Sequence, residues 1–145
     1  MTPDINVLVA ASRADHAHHA PARSWLEEGL HRVRTEGRLG LLPMVTAGFL
    51  RLVTNKRIFP VPTPLREATA FIDALTIRPG VVLLDLPPVW DDLARLCERQ
   101  QLISNAVPDA WIAVAVRAHA EHLVTFDRDF ITLLPPAHLT LLGQS

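Results

Sequence analysis

The sequence reads as a single α/β domain, a parallel sheet covered by helices. Short apolar, β-rich runs alternate with helical patterns along the whole chain, which is the signature of parallel strands joined by helices. No internal repeat, low-complexity stretch or long linker divides the 145 residues, a length that buries one core without staples. The composition, 49% hydrophobic and 20% charged, is that of an ordinary globular domain.

Each element follows from a local signal. Ile5 to Ala11 is the first apolar run and begins directly at Asp4. His18 to Thr35 carries Ala22, Trp25, Leu26, Leu30 and Val33 at helical spacing with charges between them, and Gly37 stops it. Leu39–Leu42 is a short strand, and Pro43–Val53 a helix entered through proline. Pro60, Pro62 and Pro64 mark a loop before a helix over Leu65–Leu75, which Pro79-Gly80 ends. Val81–Leu84 is a buried strand, and Pro88 opens a helix that runs to about Gln101. Asn105–Ala120 is a helix with Pro108 near its first turn, His122–Phe126 a strand, and Leu139–Leu142 a final edge strand.

Several classes are excluded. A net charge of −1 does not suit an indiscriminate nucleic-acid binder. Lys56 is the sole lysine and every other cationic side chain is arginine, which suits bidentate phosphate contacts but also follows from a GC-rich codon bias. No apolar run is long enough to cross a bilayer, and no basic stretch precedes the N-terminal one as in a signal peptide. The lone cysteine, Cys97, lies at helical spacing among apolar residues and reads as a buried thiol. These features together indicate a cytoplasmic protein.

In parallel α/β sheets functional groups gather beyond the carboxyl ends of strands. Asp127 follows a strand, Asp109 lies in the first turn of a helix where the macrodipole favours a carboxylate, and Asp4 opens the first apolar segment. Three carboxylates from distant positions can thus meet at one rim. An all-oxygen donor set suits Mg²⁺ or Mn²⁺, and a phosphodiester needs such a cation before it can approach concentrated negative charge. Each aspartate also has an ordinary alternative, as a helix cap, a turn former or a surface residue.

The segments that decide between these readings are Asp4-Ile-Asn6-Val-Leu-Val, Phe49-Leu-Arg51-Leu-Val-Thr-Asn55, Pro108-Asp109-Ala-Trp-Ile-Ala and Leu123-Val-Thr125-Phe-Asp127-Arg-Asp129-Phe130. In this order they resemble the motifs of the PIN-domain family, specifically the VapC-type toxins of bacterial toxin–antitoxin pairs. Asp15-His-Ala-His18-His19 is similar to the second-helix opening of one VapC branch. The resemblance implies a three-layer α/β/α sandwich around a mostly parallel sheet, and a metal-dependent endoribonuclease that hydrolyses RNA through a metal-activated water. Asp4, Asp109 and Asp127 take the catalytic and metal-binding positions. Asn6, Thr125 and Asp129 take auxiliary ones, Asp129 as a further acid or a turn former. The implied cofactor is Mg²⁺, with Mn²⁺ as an alternative. The implied partners are RNA, a VapB-type antitoxin and a second copy of the chain, met through helices that include the apolar face of Leu65–Leu75.

One departure stands out. Many PIN domains carry a glutamate just before the Phe-Leu-Arg segment, and here the residue is Gly48. Glu67 and Asp85 are candidate replacements. The departure motivates a second reading, a catalytically weakened PIN-like module that binds RNA or protein. A phosphatase using Asp4 as nucleophile is a poor third, because Asn6 stands where its second aspartate belongs. His16, His18 and His19 read as a solvated helix entrance, Trp25 and Trp111 as packing residues, Asp91 and Asp92 as a helix start, and Arg51 as a structural anchor reaching across the fold.

Overall fold

A computed structural model describes residues 1–35 and 37–143. Among them the chain forms β1 (Thr2–Pro3), α1 (Ile5–Ser12), α2 (His19–Arg32), β2 (Leu39–Leu41), α3 (Pro43–Val53), α4 (Leu65–Thr76), β3 (Val81–Leu83), α5 (Trp90–Gln100), α6 (Ala106–Ala118), β4 (Leu123–Thr125) and β5 (Leu139–Leu141), with short 3₁₀ turns at Arg128–Thr132 and Pro136–His138. All strand pairs are parallel: β1 with β4, β4 with β5, and β2 with β3. The two ladders meet where Gly40 N donates to Met1 O (2.9 Å) and the Thr2 hydroxyl donates to Gly40 O (2.6 Å). Pro3 has no N–H to offer there, so the Thr2 side chain supplies part of the seam. Helices α1 to α4 pack in sequence-linked contacts, while α5 and α6 pack on each other.

The first apolar run is a helix. Asp4 takes extended backbone geometry and its carboxylate accepts from Ile5 N (2.7 Å), capping α1. Val7 to Ala11 are all buried, so the segment shows no polar face and its composition resembles a buried strand. Only Thr2–Pro3 is strand, and this places Asp4 at the strand-to-helix junction. Val81–Leu84 differs from expectation as well. It is an edge strand with Val82 and Leu83 exposed, and only Leu84 is buried. Helices α3 and α4 and the edge strand β5 fall where the sequence places them.

The core centres on Val7, Leu8, Leu39, Leu41, Val45, Phe49, Ile112, Val116, Leu123 and Phe130. Trp25 belongs to it, whereas Trp111 and Cys97 are half-buried at its margin. Along α4, Ala68 and Leu75 turn inward and Phe71 stacks on Phe49 (5.3 Å), so most of that apolar face is used within the chain. Arg51 is exposed and is not the anchor. That role belongs to Arg13, which is 8% exposed, bonded to Asp15, Thr63 Oγ1 and Val61 O, and seated 3.9 Å over the Phe59 ring. It ties the end of α1 to the proline-rich loop.

Helix α6 ends in a left-handed cap: Ala120 has φ 51°, Ala120 N donates to Arg117 O and Glu121 N to Val116 O (2.9 Å). A Cβ in this conformation is costly, and glycine removes the cost while adding chain entropy. Ala120→Gly is therefore expected to raise stability by about 0.5 kcal/mol, read as a higher denaturation midpoint in urea with an unaltered slope.

Candidate active site

The site is built at the carboxyl ends of β1 and β4. Pairing of Pro3 with Val124 brings Asp4 and Thr125 to the same level, and Asp4 N donates to Val124 O (2.9 Å). Thr125, fully buried, donates its hydroxyl proton to Asp4 Oδ2 (2.7 Å). Thr125 Oγ1 in turn accepts from Asn6 Nδ2 (3.1 Å) and from Asp127 N (2.9 Å). Asn6 Oδ1 accepts from Phe126 N (3.3 Å), which fixes the orientation of the amide. One hydroxyl thus uses its single donor and both acceptor sites.

Asp109 enters from the first turn of α6, where Pro108 lies among the N–H groups that a helix leaves unpaired. Asp127 caps the 3₁₀ turn after β4, its Oδ1 accepting from Asp129 N (2.8 Å). Asp129 is exposed and lines, with Asp109, Asn105 and Arg128, a cleft of about 420 Å³.

The carboxylates interact through space. Burial and then the nearby charges of Asp4, Asp127 and Asp129 push Asp109 up to about 6. Asp4 is also raised: burial outweighs the hydrogen bonds from Thr125 and Ile5, and Asp127 adds repulsion. Distant sequence positions have been brought into one electrostatic unit. Among the described residues no group of three or more His, Cys, Asp or Glu side chains is gathered closely enough to hold a metal ion by itself; Asp4, Asp109 and Asp127 are linked through their charges rather than through a shared coordination shell. That donor set fits a hard divalent cation which keeps several waters and takes few protein ligands.

Gly48 has a local cause. A Cβ there would lie 2.5 Å from Ile5 Cδ1, so the Ile5 side chain fills the space beside α3 that a larger residue would need. Glu67 and Asp85 are exposed, and neither contributes to the charge around Asp4 or Asp109. The histidines serve the loop: His16 Nδ1 accepts from His18 N, His19 Nδ1 meets Ala10 O at 2.8 Å, and the His18 ring stacks on Phe126 at 4.6 Å. Asp91 and Asp92 lie in the first turn of α5.

The PIN-domain family model matches residues 1–133. The chain belongs to the PIN-domain family. Among its relatives, Ribonuclease VapC31 of Mycobacterium tuberculosis is 36% identical over 137 residues, 94% of each chain. Ribonuclease VapC25 of the same organism is 36% identical over 138 residues with the same coverage. Two solved structures share the fold. VapBC2 from Rickettsia felis, bound to a DNA fragment from its promoter, superposes with a TM-score of 0.68 at 18% identity, covering 98% of both chains. VapC20 of Mycobacterium tuberculosis, a sarcin-ricin loop cleaving toxin, gives 0.62 at 17% identity, covering 90% of this chain and 92% of that one. As a PIN domain, the chain carries its four motif segments on β1–α1, α3, α6 and β4 with the turn after it.

Sequence reasoning missed two features. Arg13 was legible only as a charge interrupting an apolar run. Glu121, 6% exposed, holds the Met1 amino group (2.9 Å) and Arg38 Nε (2.6 Å). Burial works against its charge, but these two cations outweigh burial and keep its carboxyl below the usual range. No periodicity marks either residue, because their partners are distant in sequence.

The raised Asp109 has a stability consequence. With 3.8 as the ordinary value and about 6 in the fold, the folded state binds its proton more tightly than the unfolded chain. Metal-free stability therefore falls as pH rises between these values, and the full deficit remains at pH 7. Asp109→Asn is expected to stabilise the protein at pH 7 in EDTA by about 1 kcal/mol after solvent screening, with the gain vanishing near pH 3.5 in thermal denaturation.

Proposed function

We propose that this chain is the toxin of a type II toxin–antitoxin pair, an endoribonuclease that hydrolyses RNA phosphodiesters, with residues 1–145 acting as one PIN domain in the cytoplasm. The observation that carries the reading is the hydrogen-bonded junction of Asp4, Thr125 and Asp127 at the carboxyl ends of β1 and β4, in a chain whose curated relatives are named ribonucleases.

Asp4, Asp109 and Asp127 are the groups that would hold Mg²⁺, or Mn²⁺ in its place. When bound, such a cation lowers the pKa of a coordinated water and offsets the charge on the scissile phosphate. The chain's own residues prepare the place. Thr125 and the Ile5 N–H fix the two oxygens of Asp4, so its carboxylate cannot rotate away. Asn6 locks the strand end that carries Asp127, and Asp129 extends the acidic rim as an auxiliary residue. Burial and repulsion raise Asp109, so a cation held there would relieve the repulsion among the carboxylates. No nucleophilic side chain takes part.

The partner is a VapB-type antitoxin. A disordered segment that folds across the acidic rim and offers an arginine to the carboxylates fits this charge. Homodimerisation, on this reading, uses the apolar side chains left exposed beside α4, namely Ile58, Val61 and Leu65. Leu65→Asp is expected to halve the mass seen by light scattering, and an unaltered mass would place the dimer elsewhere or remove it.

Purified protein should cleave RNA with Mg²⁺ or Mn²⁺ and stop when EDTA is added. Asp4→Asn and Asp109→Asn are each expected to lower the rate at least a hundredfold while the far-ultraviolet circular dichroism stays native. Thr125→Val, which removes the hydroxyl but keeps the shape, should cost less, about tenfold. Cleavage by Asp4→Asn at the wild-type rate would sink the assignment.

A further inference from the structure

A second cleft, of about 360 Å³, runs between α5 and α6. Arg95 and Arg99 lie one turn apart on α5, and Arg117 faces them from the last turn of α6. All three are exposed, and among the described residues none forms an ion pair or a side-chain hydrogen bond, as holds for every arginine except Arg13, Arg23 and Arg38; what sets these three apart is that they line one cleft. Asp92 is the one acid lining the cleft, and it too forms no ion pair among the described residues. Three guanidinium groups against one carboxylate leave the groove positive on a chain whose net charge is −1.

The groove adjoins the cleft beside Asp109. Leu133 lines both this cleft and the one bounded by Asp109, Asp129 and Arg128. Helix α6 carries Asp109 near one end and Arg117 near the other, eight residues on, which is about 12 Å along the axis. A few nucleotides of single strand span that distance.

We propose that the α5–α6 groove is a phosphate track for single-stranded RNA, which Arg95, Arg99 and Arg117 hold as the strand leaves the Asp109 rim past Leu133. The proposal rests on the ribonuclease reading for the position of the scissile phosphate. Guanidinium forks match phosphate oxygens bidentately without reading sequence, so the track contributes affinity and direction rather than base choice. RNA is favoured over an acidic protein segment because the groove lies on the same helix as Asp109, beside the place where a phosphodiester would be cut on the ribonuclease reading.

The test uses the full chain in EDTA, so that binding is read without cleavage. A fluorescein-labelled 12-nucleotide RNA is titrated at several salt concentrations against wild type, the triple variant R95A/R99A/R117A and its conservative counterpart R95K/R99K/R117K. Each lost phosphate contact lowers the salt slope by about 0.7 for single strands. The alanine variant should lose about 2 in slope and bind about tenfold more weakly at low salt, while the lysine variant keeps most of the slope. A dinucleotide, too short to reach Arg117, should show a much smaller difference. An alanine variant with wild-type RNA affinity and slope overturns the proposal, and so does one that loses only antitoxin binding, which would assign the groove to a protein. If wild type cuts no RNA with any divalent cation, the ribonuclease reading fails, and that result is separate from the EDTA binding series.

Discussion

The hydroxyl of Thr125 is the point on which the rest of the site depends. It lies at the end of β4, fully buried, and ties together Asp4, Asn6 and the backbone of Asp127. A hydroxyl has one proton to give, and the short contact to Asp4 takes it. The longer approach of Thr125 Oγ1 to Asn6 Oδ1, 3.4 Å, is then left to the Phe126 N–H as donor to Asn6. The arrangement needs Asp4 as an acceptor, so the bond also offsets part of what burial costs that carboxylate. Parallel pairing of β1 with β4 makes it possible, because only in that register do Asp4 and Thr125 leave their strands side by side.

Around this node the protein tolerates an unfavourable concentration of negative charge. A helix N-terminus favours Asp109, yet burial and three neighbouring aspartates prevail and raise it. Groups held in such tension are common at functional sites and rare where only stability matters. The contrast with Glu121 is instructive. That carboxylate is at least as hidden, but the Met1 amino group and Arg38 satisfy it, and it joins the first strand to the segment before β2. One buried acid is neutralised within the fold, while the others face an open rim.

Gly48 and Ile5 show how a local packing choice reaches the chemistry. Ile5 follows Asp4 directly, and its side chain occupies the space beside α3 where a Cβ on residue 48 would lie. The carboxylates proposed as metal donors therefore follow β1 and β4 or lie on α6, and α3 supplies packing.

Much of the architecture was legible because neighbouring residues carried it. Proline entry and apolar spacing marked α3 and α4, and a β-rich run followed by Asp marked β4. Ile5–Ala11 carried no such mark, because a helix buried on every side has no polar stripe to distinguish it from a buried strand. Val81–Leu83 misled for the opposite reason, since an edge strand can expose apolar side chains that look like core. Asp4, Asp109, Asp127 and Asp129 stand out in the sequence through motif resemblance and the rule that sites gather at strand ends, and in the fold their charges act on one another.

By itself the sequence determined the alternation of elements, the family and the oxygen-rich character of the site, since all three depend on residue type and short-range spacing. Only the tertiary structure decided that Arg13 rather than Arg51 is the anchor, that Gly48 faces Ile5, and that Thr125 reaches Asp4 across 121 positions. These are contacts between residues far apart in the chain. No local pattern encodes them, because their geometry exists only once the strands have paired and the helices have packed.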